Sequence, residues 1–151
     1  MIRLTLPYPI SANRYWRSYT IGKRSVVAIS REAEDYKERV NLLCWQAGIR
    51  EPMVGRVAIT VRLYPHRPLD WQRRRRKLGA AWDDGVQCLD LDNANKVLLD
   101  SLKGVAIEDD KWVRRISAER MEPDGEARVE VEIVALARRS TWPASSGVCA
   151  R

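Results

Sequence analysis

Asp90-Leu91-Asp92-Asn93-Ala94-Asn95-Lys96-Val97-Leu98-Leu99-Asp100-Ser101-Leu102-Lys103-Gly104 is the stretch on which the reading of this chain turns. Its apolar residues Val97, Leu98 and Leu102, with Ser101, recur at helical spacing, and Gly104 supplies a C-terminal stop, so a helix is expected from about Asp92 to Leu102. Asp90 and Asp92 share a side if the chain is still extended there, and the i, i+4 relation turns Lys96 toward Asp92. Two carboxylates and an ammonium in that pattern suit a divalent cation and a phosphate. A plainer alternative stands beside this one: Asp92 caps the helix, Asp90 is solvated, and Lys96 lies on the exposed face. A second acidic cluster, Glu108, Asp109 and Asp110, follows closely.

Outward from this helix the chain alternates strands and helices. Ile2, Leu4 and Leu6 predict a strand ending at Pro7, and Val26 to Ile29 predict another, hairpinned through Gly22. Between them, Tyr8 to Arg17 reads as an extended loop whose Asn13, Arg14 and Arg17 either meet DNA or sit in water while Tyr15 and Trp16 pack on the core edge. Ser30 predicts an N-cap for a helix carrying Ala33, Tyr36, Val40, Leu43, Cys44 and Ala47 inward, stopped at Gly48. Val57, Ile59, Val61 and Leu63 give the clearest strand. Residues 112–118 and 129–135 read as two strands of one hairpin joined by the Pro123-Asp124-Gly125 turn.

Residues 65–89 lack periodicity and contain the run Arg73, Arg74, Arg75, Arg76 and Lys77, so they are expected to form a long exposed basic loop. Such a run is either a solvated charge tract or a grip on a phosphate backbone, with Trp71 available to stack on a base. From Arg138 onward, a tail rich in Ser, Pro and Gly is expected, which divides the chain into a domain at 1–137 and a mobile segment at 138–151.

Composition narrows the function. The length of 151 residues fits one domain. Lys and Arg exceed Asp and Glu by 27 to 20, and the net charge of +7 favours a polyanionic partner such as nucleic acid. No stretch approaches the roughly 18–20 apolar residues needed to span a bilayer, and Met1 to Pro7 alternates like a strand, so a cytoplasmic protein without membrane contact is expected. Cys44, Cys88 and Cys149 are too scattered for a zinc site, and disulfides are not expected. His66 is the only histidine and has no companion nucleophile, which argues against a Ser-His or Cys-His mechanism.

The order of parts resembles the RusA family of Holliday junction resolvases. The motif positions that carry the resemblance are Pro9, Ser11 and Asn13, then Asp90, Asp92, Asn93 and Lys96, then Asp109 and Asp110, across roughly residues 2–136. In the family pattern the arginine run lies directly before the first aspartate, whereas Lys77 to Leu89 intervene here. The resemblance implies a small mixed α/β (α+β) protein, with a small mixed β-sheet and two main helices in a single domain. It further implies a homodimer that binds four-way DNA junctions and makes paired nicks with Mg²⁺. By motif position, Asp90, Asp92 and Asp110 would be the metal-binding carboxylates, converging in space, and Lys96 the catalytic lysine.

The chemistry agrees with that set. Mg²⁺ takes oxygen ligands, polarises a phosphate and acidifies a water, while a lysine neutralises charge in the transition state or protonates the leaving oxygen. The sheet edges and the unequally polar segment 112–118 are candidate dimer interface. Two alternatives remain: a nuclease acting on forks, flaps or other branched DNA, and a catalytically silent DNA-binding homologue.

Overall fold

A computed structural model describes residues 1–137; the expected tail at 138–151 lies outside the described residues. Strand β1 (Ile2–Pro7) leads into a four-residue helix α1 (Ala12–Tyr15), and the hairpin β2 (Trp16–Ile21) and β3 (Arg24–Ile29) follows. Helix α2 (Arg31–Gln46), strand β4 (Val57–Tyr64), helix α3 (Trp71–Leu78) and a 3-10 stretch (Gly79–Gly85) precede helix α4 (Leu91–Leu102). A short 3-10 turn (Asp110–Trp112) then opens β5 (Val113–Arg120), and β6 (Arg128–Ala135) completes the domain.

Four strands form one mixed sheet in the order β1-β6-β4-β5, antiparallel except for the parallel pair β4 and β5. Register follows the alternation in the sequence: Leu4 faces Val131, which faces Val61, which faces Ala118. Val57, Ile59, Val61 and Leu63 of β4 join Val129, Val131 and Ile133 of β6 and Leu4 and Leu6 of β1 on one buried face. That face meets Ala33, Tyr36, Val40 and Cys44 of α2 and Ala94, Val97, Leu98 and Leu102 of α4. Each of these larger aliphatic side chains contributes about 1.5–3 kcal/mol by leaving water, enough to fix both helices on the sheet. The opposite face carries charge, with Glu132 held between Arg62 at 2.5 Å and Arg3 at 3.8 Å.

The expectation of a single mixed domain with two main helices is met, as are the Ser30 cap, whose hydroxyl accepts from Ala33 N–H, and the Gly22 turn at φ 61°. Leu43 is half-buried, and Ala47 lies beyond the core stripe on the exposed end of α2.

Three expectations change. First, residues 112–118 and 129–135 do not pair with each other: β4 lies between β5 and β6. Residues 121–127 are longer than a tight two-residue turn, and they span the width of β4 instead of reversing beside it. The parallel β4–β5 pair requires a crossover, which α3 and α4 supply. Second, Tyr8–Arg17 is not wholly extended, because Ser11 caps the short α1 by accepting from Arg14 N–H at 3.3 Å, and Trp16 and Arg17 already belong to β2.

Third, residues 65–89 are not a structureless loop. Asp70 binds Arg73 at 3.2 Å and Arg74 at 3.0 Å, and these i, i+3 and i, i+4 pairs offset repulsion along the run. Arg75, Arg76 and Lys77 fall in the last turn of α3, where the helix dipole favours cations. Beyond it, Trp82 is only 2% exposed and its Nε1–H donates to Glu122 at 2.9 Å. Arg120 donates to the carbonyls of Asp83 and Val86, pinning the segment to the end of β5.

Candidate active site

Asp90 is the N-cap residue of α4, with extended backbone at φ −65° and ψ 144°, and Asp92 lies in the first helical turn. The inward residues of α4 lock its rotation, so Asp90, Asp92 and Lys96 are left exposed. Asp92 does not cap the helix, since the N-cap position belongs to Asp90, whose side chain makes no capping bond; the exposure of Asp90 and Lys96 is what the plainer alternative also expects. Among the described residues neither carboxylate nor Lys96 has an ion-pair partner within 4.0 Å. Other acids do have partners. Asp100 binds Lys37 at 3.5 Å and also accepts from the Tyr15 hydroxyl, and Asp124 binds Arg128 at 2.7 Å. One turn into α4, the buried Asn95 Oδ1 accepts no hydrogen bond among the described residues, a cost of about 1–3 kcal/mol that native folds tolerate rarely.

The second acidic cluster sits at the other end of α4. Lys103 Nζ, at the C-cap, lies 3.8 Å from Asp109 Oδ1, and twelve helical residues separate that end from Asp90 by about 18 Å. Asp109 and Asp110 act on each other as neighbouring carboxyls that can share a proton, which lowers the first pKa and raises the second. The expected convergence of Asp110 on Asp90 and Asp92 is therefore not made within a single chain. Among the described residues, no three His, Cys, Asp or Glu side chains come together as a metal site. Strand β5 runs between the two places: Asp110 precedes its first residue, and Arg120 at its last is bonded to Val86, just before Asp90.

The donor set of Asp90 and Asp92 nevertheless suits a hard divalent cation, since magnesium is commonly held by one or two carboxylates together with substrate phosphates. The thiols offer no competing site: burial raises the Cys44 pKa, and Cys88 is a free thiol among the described residues.

The basic side chains are spread over three elements. Asn13 and Arg14 are on α1, with Arg14 bound to Glu32 at 2.6 Å, and Arg17 is on β2 with its guanidinium 5.9 Å from the Tyr19 ring centre. Arg75, Arg76 and Lys77 are exposed and without ion pairs among the described residues, whereas Arg73 and Arg74 share Asp70. Trp71 does not stand free: Arg67 lies 4.5 Å over its ring, and Trp82 is its neighbour at 6.3 Å.

Sequence reading missed Tyr8. Its oxygen accepts from Leu89 N–H at 2.7 Å and its hydroxyl donates toward Cys88 Sγ at 3.7 Å, which fixes the approach to Asp90. No local pattern signals a contact between residues so far apart in the chain.

The sequence model of the family described as endodeoxyribonuclease RusA matches residues 7–134, from the end of β1 to nearly the end of β6. The chain belongs to the RusA family. No curated protein matches the chain. As a RusA protein it is an endodeoxyribonuclease of the Holliday junction type, in a family that acts on branched DNA and generally needs a divalent metal. Among the described residues no helix is long and apolar enough to cross a membrane.

Proposed function

We propose that this RusA protein is a magnesium-dependent resolvase that cuts four-way DNA junctions by paired nicks, as a homodimer, in recombination and repair. The observation that carries the reading is the exposed trio of Asp90, Asp92 and Lys96 at the start of α4, free of ion pairs among the described residues, in a chain of the RusA family. Asp90 and Asp92 would hold the cation, which when bound neutralises the scissile phosphate and eases formation of the attacking hydroxide. Lys96 meets the negative charge that grows on the phosphate, or passes its proton to the leaving oxygen.

A second copy supplies the third carboxylate. A dyad perpendicular to a strand reverses it, so pairing across β5 brings the start of one β5 beside the end of the other. Asp110 of one copy then approaches Asp90 and Asp92 of the other. Support for this interface comes from Ile116, which shares the inward face of the sheet with Ile59 yet is 40% exposed.

The test is a cleavage panel of four-way junction, replication fork and linear duplex, in Mg²⁺ for cutting and in Ca²⁺ for binding. Symmetric nicks in opposite strands of the junction are expected. Preferred cutting of forks would move the reading to another branched-DNA nuclease. Junction binding without scission in Mg²⁺ would mark a silent DNA-binding protein.

A further inference from the structure

A groove of about 900 Å³ opens beside the approach to Asp90. Its size falls in the range of small-ligand sites. One wall is the segment Gly85–Leu89, held by the Tyr8 bond to Leu89 and the Arg120 bond to Val86, so its shape is set before any ligand arrives. The floor is apolar, with Pro9 and Ile10 among its residues. Arg14 and Arg74 reach it from two different helices, and the exposed side chains of His66 and Gln87 stand at its edge. No Asp or Glu lines it, in a chain that contains 20 of them. A groove with apolar lining, two arginines, an amide and an imidazole, and no carboxylate fits one kind of ligand well: a flat heterocycle carrying phosphates.

We infer that this groove takes the deoxynucleotide adjoining the scissile phosphate, with Arg14 and Arg74 on flanking phosphates and Gln87 and His66 at the edge of its base. The inference rests on the proposed role of Asp90 and Asp92, because the wall at Leu89 leads directly into Asp90. Gln87 offers one donor and one acceptor side by side, so it discriminates among bases as well as binding them. Both edge residues therefore set sequence preference at the cut without entering the chemistry. The ion pairs of Arg14 with Glu32 and of Arg74 with Asp70 are solvent-accessible, and exchanging them for phosphates costs little.

His66, as the sole histidine, gives one imidazole signal in a carbon-proton spectrum. Full-length protein is titrated with a four-way junction in Ca²⁺, while binding is followed by fluorescence anisotropy. The His66 signal is expected to shift in step with binding, and alkylation of Cys88, read by mass spectrometry, to slow. A His66 signal that stays in place at saturation overturns the inference, whether or not the protein cuts. In the second arm, cleavage rates are compared on junctions that differ only in the base next to the cut. Gln87→Ala is expected to narrow the spread of rates by about tenfold, and His66→Ala to narrow it as well. An unchanged spread in both variants overturns base reading. If the wild type cuts no junction but His66 shifts on binding, the proposed reaction fails and the nucleotide groove stands.

Discussion

Asp92 and Lys96 stand on one side of α4 with no counter-ion among the described residues, so replacing either leaves little else to rearrange. Asp92→Asn removes a charge and keeps the shape; cleavage of a four-way junction in Mg²⁺ is expected to fall by a hundredfold or more, about what one electrostatic contact to a transition state is worth, while binding in Ca²⁺ is retained. Full activity in that variant would remove Asp92 from the site. Tyr8 has a different consequence. Its pKa is pushed up from 10.0 to about 12, chiefly by burial, so the folded protein holds the phenol proton more tightly than the unfolded chain. The stabilisation is complete below pH 10 and fades as pH rises toward 12. Tyr8→Phe also strips Leu89 N–H of its acceptor, at about 1–3 kcal/mol. Urea unfolding across pH 8–12 is expected to show a lower plateau and a shallower alkaline fall in the variant, the remaining fall coming from the raised pKa values of Tyr15 and Tyr36.

Among the elements, α2, α4 and β4 were legible because each carries its own period, and the burial of Val97, Leu98 and Ser101 follows the spacing that announced it. Helix α3 has a local signal in Asp70 three and four residues before Arg73 and Arg74, which the arginine run masked, whereas the contact of Trp82 with Glu122 that anchors the following segment is one that sequence cannot bring together. The exchange of sheet neighbours has a similar cause: the alternation of Val129 to Ala135 fits either side of β4, and nothing local chooses between them. The site was half legible. Spacing revealed Asp90, Asp92 and Lys96 and the length of α4, but that residues 109 and 110 stay beside Lys103 at its far end, and do not fold back to Asp90, appears only in three dimensions. Trp82→Ala is expected to cost about 3–5 kcal/mol of unfolding free energy in urea titrations, as for other buried aromatic truncations. Alanine at Arg75, Arg76 and Lys77 together should weaken junction binding and reduce its salt dependence, by nearly one unit of logarithmic slope for each cation that meets a phosphate.

For the whole molecule, β5 is an edge strand with an incompletely covered inner side, and light scattering is expected to show a dimer at micromolar concentration. Ile116→Glu places a charge on that side, and the expected outcome is a folded monomer that no longer makes paired nicks. A dimer of unchanged size with full activity would move the interface elsewhere. The sheet order has a bearing on how the enzyme is made. The last strand, β6, lies inside the sheet between β1 and β4, with Ile133 opposite both Ile2 and Ile59. A ribosome must therefore deliver almost the entire domain before β1 and β4 gain their common neighbour, and long-range closure of this kind is slow. A chain that stops short of Arg128 already contains both acidic clusters but lacks the strand that joins β1 to β4, so positioning of the acids waits on the last segment of the domain to arrive.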